Sequence, residues 1–372
     1  MQSSKWLGLW MSLGVFGLVA GCQSGQPDGD LQPTAPATTT PGSLSVTYQA
    51  TPLAFTKPAN FPDLMYDLAQ NPLTVEGVDL GKMLFYDGSL SANGLISCAF
   101  CHTQGAAFAH TDHALSHGID DKIGPRNVPG IQNVVWSRSF FWDGGIKDLD
   151  LLPIAPIENP VEMGEKMPAV LARLQKGGKY PPLFKAAFGS DSVTSERFLK
   201  ALSQFMVTMV SANSKYDRYV RKEAGGDLNA QEVRGLTLFK QNCAGCHAGE
   251  LFTDDGFRNN GLAVNPNVRP DDLGRYQVTL NEADRRKFRV PSLRNVARTL
   301  PYMHDGRFAT LEQVLNHYAT GVLDGPTLDP MLKQSSKPGI ELSAQDQKDI
   351  IAFLKTLTDL TYVNDPRFQP RN

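Results

Sequence analysis

The sequence CAFCH at residues 98–102 and the sequence CAGCH at residues 243–247 share the pattern C-x-x-C-H. Two thiols at this spacing can reach the two vinyl groups on one edge of a porphyrin, and the next residue can place its imidazole beneath the iron. Zinc sites and redox dithiols also use C-x-x-C, but neither explains a histidine directly after the second cysteine in both copies. The motifs therefore predict two covalently attached haem c groups, with His102 and His247 as iron ligands.

The chain has five cysteines, and the two motifs use four of them, namely Cys98, Cys101, Cys243 and Cys246. The fifth, Cys22, follows an apolar run from Trp6 to Ala20 that is too short to favour spanning a bilayer and is typical of an export signal. The small residues before Cys22 resemble the bacterial lipobox, in which the cysteine is acylated. The alternative is an ordinary signal peptide with a chance cysteine.

The segment after Cys22 is rich in proline, threonine, serine and glycine up to about residue 45, which is typical of a flexible spacer. We therefore expect a lipoprotein signal peptide at residues 1–21 and a tether at residues 22–48. Together these segments predict a protein that faces the periplasm and is anchored to a bacterial cell membrane by lipid.

The remaining chain is long enough for two domains, which we place at residues 49–222 and 223–360. Each would hold one of the two haem c groups. A tail at residues 361–372 is expected to pack back on the first domain. The formal net charge is −2 with acids and bases interspersed, and this pattern argues against a nucleic-acid partner.

The sequence around the two motifs is duplicated, which indicates two homologous domains. One matching pair precedes the motifs and two pairs follow them at a constant spacing. The pairs are GKMLF at 81–85 with GLTLF at 235–239, VPGIQNV at 128–134 with VPSLRNV at 290–296, and WDG at 142–144 with HDG at 304–306.

Helix signals outnumber strand signals throughout the chain. Asn229 with Glu232 predicts a capped helix before the second motif, and Ser343 with Asp346 predicts another near the C-terminus. Residues 195–222 carry helical periodicity between the two copies. The sequence thus predicts a mainly α fold, with long irregular loops around the haems.

These motifs and their duplicated flanks resemble the bacterial di-haem cytochrome c peroxidases and their relative MauG, over residues 79–360. The resemblance implies two cytochrome c-like domains, each holding one haem c. It also implies that the first haem meets hydrogen peroxide and that the second handles electrons. The implied reaction is reduction of hydrogen peroxide to water with electrons from a reduced c-type cytochrome or another small redox protein. The family is also compatible with a homodimer.

The resemblance assigns further residues of this chain to the site. Glu162 matches the distal carboxylate that moves a proton during O–O cleavage, and Trp142 matches a tryptophan between the haems. Asn127 matches a side-chain ligand of a calcium ion, to which Thr299 and Pro301 would add carbonyl oxygens. The alternatives are a solvated loop acid for Glu162, a core aromatic for Trp142 and a turn residue for Asn127.

Three positions depart from the peroxidase pattern or leave it open. Leu152 stands where the family usually has a glutamine above the haem, which would remove a hydrogen-bond partner of peroxide. Tyr318 stands where the peroxidases have a methionine ligand and MauG has tyrosine, and Met303 is the alternative thioether. His117 resembles the histidine that gates the first haem in some members, although His110 and His113 lie in the same loop.

Two other functions remain open from the sequence. Tyr318 favours a MauG-like enzyme that uses peroxide to oxidise side chains of a partner protein. A di-haem electron-transfer cytochrome without enzymatic activity is the second alternative, and the carboxylate of Glu162 argues against it.

Overall fold

The computed structural model describes residues 48–268 and 270–370, and the export signal, the tether and Cys22 lie outside these residues. Within them the chain forms twelve α-helices and one short antiparallel pair of strands. The helices are α1 Val75–Phe85, α2 Cys98–Cys101, α3 Ile154–Glu158, α4 Met167–Lys176, α5 Tyr180–Phe188, α6 Ser195–Val207, α7 Lys215–Arg221, α8 Ala230–Asn242, α9 Tyr276–Thr279, α10 Leu311–Asn316, α11 Ala344–Lys355 and α12 Leu360–Val363. The strands are β1 Phe257–Arg258 and β2 Phe288–Arg289. The predicted mainly α fold is confirmed.

Each of the two hydrophobic cores is built around a crossing of two helices, and the two crossings are equivalent. A Cβ atom on Gly81 of α1 would lie 1.9 Å from the Ala201 carbonyl oxygen of α6, and one on Gly235 of α8 would lie 1.9 Å from that of Asp349 in α11. Glycine at each crossing thus lets the two helix backbones approach closely. The duplicated GxxxF segments therefore place equivalent helices, each of which leads into a C-x-x-C-H motif.

The duplicated segments after the motifs also share a conformation and touch each other. Asn133 and Asn295 both adopt left-handed backbone angles, with φ of 58° and 57°, a region that asparagine tolerates better than most residues. Their backbone N–H groups donate to equivalent carbonyls, those of Met209 and Leu357. The Gln132 side chain donates to the Arg294 carbonyl at 3.0 Å, so the two copies meet inside one compact unit.

Capping residues set the ends of the long helices as the sequence indicates. Asn229 and Glu232 form a reciprocal capping box at the start of α8, and Ser343 and Asp346 form one at the start of α11. Both predicted helix starts are confirmed.

The helical segment predicted over residues 195–222 is two helices, not one. The chain leaves the helix after Val207, because the Asn133 amide donates to and accepts from the backbone of Ser211 at 3.0 and 2.8 Å. Ser214 and Asp217 then form a new capping box that begins α7. Periodicity alone does not reveal such a break, since apolar residues occur on both sides of it.

The end of the chain packs against the first core. Tyr362 and Phe368 contact the Phe108 ring with centroids 5.8 and 5.9 Å away. Lys82 Nζ and Tyr86 Oη donate to the carbonyls of Arg367 and Phe368. None of the described helices is both long and apolar enough to cross a membrane.

Candidate functional site

A cavity of about 900 Å³ runs between the two cores and is lined by both C-x-x-C-H motifs. Every predicted site residue within the described chain lines this cavity, apart from the three loop histidines His110, His113 and His117. The residues that line it are Cys98, Cys101, His102, Asn127, Trp142, Leu152, Glu162, Cys243, Cys246, His247, Thr299, Pro301, Met303 and Tyr318. Side chains separated by more than 200 positions are therefore brought to one site.

The two motif histidines are held in the same tautomer. His102 Nδ1 donates to the Phe108 carbonyl at 2.7 Å, and His247 Nδ1 lies 3.1 Å from the Phe252 carbonyl oxygen. A proton on Nδ1 leaves the Nε2 lone pair available for a metal ion. Burial lowers the pKa of His102 to about 4 and also lowers that of His247, which keeps both rings neutral.

The four motif cysteines are unpaired, so none is committed to a disulfide. Burial raises the pKa of Cys98 and Cys243 to about 12 and that of Cys101 to about 11. Each copy therefore presents two neutral thiols and one neutral imidazole to the same part of a largely enclosed cavity. This donor set fits a haem c in each copy.

Glu162 lies in the loop after α3, facing the same cavity as His102. Burial raises the pKa of its carboxyl group, and a hydrogen bond of 2.9 Å from Asn159 Nδ2 to Oε1 acts in the opposite direction. Leu152, also on the cavity wall, adds no polar atom there. Glu162 is therefore a half-buried carboxyl group held by Asn159, and not a fully solvated loop acid.

The three loop histidines form a row beside this site. His110 Nε2 lies 3.1 Å from His113 Nδ1, and the rings of His113 and His117 stack with centroids 4.9 Å apart. The His117 carbonyl lies 3.5 Å from Cys101 Sγ, but none of the three side chains lines the cavity. Gating of the first haem by His117 stays a prediction.

Trp142 connects the two copies through the backbone. Its Nε1 donates to the Asn127 carbonyl at 2.9 Å, and the Asn127 N–H donates to the His304 carbonyl at 2.7 Å. His304 is the residue of the second copy that corresponds to Trp142. The half-buried indole therefore lies at the junction of the two haem sites.

Tyr318 and Met303 both line the cavity, as His247 does. Tyr318 belongs to a π-helical turn, His317–Gly321, that continues α10. Such turns are rare and frequent at functional sites. Burial raises the pKa of the Tyr318 phenol to about 12.

Sequence reasoning missed three polar side chains on the cavity wall: Asn159, Arg126 and Asn260. Arg126 pairs with Asp272 and Asp143 at 2.6 and 2.5 Å, which fixes the segment before Asn127. Only Asn159 left a signal, because it precedes Glu162 by three residues in an irregular loop. The other two depend on long-range contacts.

Two family models match the chain. Residues 75–225 match the model for di-haem cytochrome c peroxidase, and residues 232–358 match the model for cytochrome c. Each model therefore contains one of the two C-x-x-C-H motifs.

The chain is similar to curated proteins over most of its length. It is 38% identical over 298 residues to the methylamine utilization protein MauG of Methylorubrum extorquens, which covers 77% of this chain and 79% of that protein. It is 36% identical over 296 residues to the cytochrome c551 peroxidase of Nitrosomonas europaea, with coverage of 78% and 82%.

Solved structures show the same fold. A MauG-like protein associated with microbial copper homeostasis aligns with a TM-score of 0.75 at 33% identity, covering 86% of this chain and 99% of that one. The di-haem peroxidase BthA of Burkholderia thailandensis aligns with a TM-score of 0.68 at 26% identity, covering 81% and 91%. With the paired haem motifs and the shared cavity, these similarities show that the chain belongs to the di-haem cytochrome c peroxidase and MauG family.

Proposed function

We propose that this protein reduces hydrogen peroxide to water with electrons from a reduced c-type cytochrome or another small redox protein. The overall reaction consumes one peroxide, two protons and two electrons and yields two water molecules. The observation that carries the proposal is the half-buried carboxyl group of Glu162, which faces the same cavity as His102. A haem c bound at each motif would supply the iron that binds peroxide and exchanges electrons.

Glu162 is the proton carrier of this proposal. Its carboxylate would take a proton from one peroxide oxygen and give it to the other, which leaves as water when the O–O bond breaks. The first oxygen becomes the second water once the two electrons and two further protons have arrived. The Asn159 amide holds Oε1 in place, so the second oxygen, Oε2, is the one that meets substrate. Leu152 offers no hydrogen bond, so Glu162 acts with water alone.

Trp142 and the second site deliver the electrons in this proposal. The Trp142 indole lines the cavity that His102 and His247 also line, and it donates a hydrogen bond to the Asn127 carbonyl. His247 and Tyr318 would hold the second iron.

A MauG-like reaction, in which peroxide oxidises side chains of a partner protein, is the second candidate. Tyr318 on the cavity wall favours it, since a phenol oxygen stabilises ferric and higher iron states better than a thioether does. A pure electron carrier would have no use for a carboxyl group that is held by Asn159 and faces the same cavity as His102.

The peroxidase proposal is tested with the purified holoprotein. Mixed with hydrogen peroxide and a reduced c-type cytochrome, it is expected to oxidise two cytochromes for each peroxide consumed, followed by the cytochrome's absorbance. Apoprotein lacking haem is the control. Peroxide consumption without cytochrome oxidation would favour the MauG-like reaction, and no consumption at all would contradict both.

We also propose that a calcium ion binds Asn127, Thr299 and Pro301. The Asn127 amide Nδ2 donates to the Ala114 carbonyl at 2.9 Å, which turns its Oδ1 into the atom available to a cation. All three residues line the cavity, and oxygen ligands suit calcium.

Removal of calcium is expected to lower peroxide turnover, because Asn127 also carries the backbone contacts between Trp142 and His304. Elemental analysis should find one calcium per chain, and a calcium chelator should slow turnover until calcium is restored. Magnesium is the matched control and should not restore it. Calcium-free protein with full turnover would contradict this proposal.

We also propose that the protein faces the periplasm and is anchored to a membrane by a lipid on Cys22. Its basis is the VAGC sequence after the export signal. Recovery of the mature protein in the soluble periplasm, with an unmodified N-terminus, would remove the anchor but not the enzyme.

A further inference from the structure

Asn260 is fixed firmly beside the second haem site. It follows β1, and its carbonyl accepts a hydrogen bond of 3.0 Å from His317 Nε2 in the π-helical turn. The residues on either side of it, Asn259 and Gly261, are hydrogen-bonded through their carbonyls to Asp329 and Leu323. The position of the Asn260 side chain is therefore set by the backbone on both sides and by the turn that carries Tyr318.

The Asn260 amide reaches one of the two candidate ligands of the second iron. Its Nδ2 donates to the Met303 sulfur at 3.4 Å. The other candidate, Tyr318, lines the same wall and directly follows His317, whose Nε2 donates to the Asn260 carbonyl.

We propose that Asn260 is a positioning residue that selects Tyr318 over Met303 as the ligand of the second haem iron. It engages the Met303 thioether in a hydrogen bond, so that the iron would take the Tyr318 oxygen instead. This inference rests on the proposed function, in which Tyr318 ligates that iron.

The two ligands would affect the haem iron differently, so the selection between them changes its reduction potential. A thioether whose lone pair accepts a hydrogen bond is a weaker ligand. Sulfur ligation raises the reduction potential of a haem, and oxygen ligation favours the ferric state. Asn260 thus keeps the second haem in its oxygen-ligated form, which favours ferric iron.

The test uses ferric holoprotein carrying Asn260→Leu, which has similar size and no donor. We expect part of the second iron to change from oxygen to sulfur ligation, seen by absorption and magnetic circular dichroism, and its reduction potential to rise. Adding Met303→Leu to this variant should remove the sulfur signal. Asn260→Asp, whose carboxylate cannot donate to the Met303 sulfur, should change ligation in the same direction and serves if the leucine variant does not fold.

The matched control is Asn259→Leu, because its amide donates to Thr327 and does not reach either ligand. It should keep the wild-type ligation, whereas a similar change there would assign the effect to loosening of the loop and overturn the proposal. An Asn260→Leu protein with the wild-type spectrum and potential would overturn it too, as would loss of oxygen ligation without a sulfur signal. If Tyr318→Phe leaves the wild-type spectrum unchanged, the Tyr318 assignment fails before Asn260 is tested.

Discussion

Replacing Glu162 with glutamine is expected to lower peroxide turnover by on the order of 10²–10⁴-fold, the usual contribution of a positioned acid–base group. Glutamine keeps the size of the side chain and can still accept the hydrogen bond from Asn159 Nδ2, but it cannot carry a proton. Both haems should stay attached, because Glu162 is not part of either motif. The measurement is the steady-state rate with reduced cytochrome, together with a haem stain of the denatured chain.

The matched control for Glu162 is Glu158→Gln. Glu158 lies four residues earlier and accepts a hydrogen bond from the Met167 N–H at the start of α4, outside the cavity. Its variant should keep close to full turnover. Full turnover in Glu162→Gln would remove this residue from the proposed chemistry.

The neighbouring Asn159 gives a pH dependence for the same site. Its N–H stabilises the charged carboxylate, so Asn159→Leu should raise the pKa of Glu162 further above its ordinary value. The carboxylate form then appears only at higher pH, and the acid limb of the plot of kcat/KM against pH should move to higher pH. If the acid limb of the variant lies at the same pH as that of the wild type, a group other than Glu162 controls it.

Local patterns explain what the sequence predicts well. The four thiols and two imidazoles lie within two pentapeptides, so their chemistry is independent of the rest of the fold. The same is true of the caps at Asn229 and Ser343, where the partner is three residues away. Such contacts follow from spacing alone.

Contacts between distant segments explain what the sequence does not predict. Asn260 contacts His317 only because the loop after β1 packs against a π-helical turn 57 residues later. The break after Val207 depends on Asn133, which lies in the first of the two duplicated segments, at residues 128–134. Neither contact leaves a periodic signal, since both involve irregular backbone.

Arg294 and Asp217 form another long-range contact, and breaking it is expected to destabilise the protein by about 3–5 kcal/mol. Both side chains are 0% exposed, and their two hydrogen bonds measure 2.8 and 2.9 Å. The guanidinium also lies 4.3 Å above the Phe61 ring, which belongs to the first core. Asp217→Leu would leave a buried, uncompensated charge between the two cores, measured as the free energy of unfolding of the holoprotein in denaturant.

A surface pair provides the control for this variant. Lys200 and Glu196 are 2.8 Å apart on α6, but the glutamate side chain is 73% exposed. Glu196→Gln should therefore change the free energy of unfolding by less than about 0.5 kcal/mol. Equal effects of the two substitutions would contradict the expected role of the buried pair.

The buried pair should also stabilise the protein in a pH-dependent way. Burial alone would raise the pKa of Asp217, but hydrogen bonds and charge from Arg294 hold it below the ordinary value of 3.8. A lowered pKa in the folded state contributes stability above pH 3.8, and this contribution is lost as the pH falls through the folded pKa. The difference between wild type and Asp217→Leu should thus narrow in acid. Adding Arg294→Met should recover part of the loss at neutral pH, because two apolar side chains leave no buried charge unpaired.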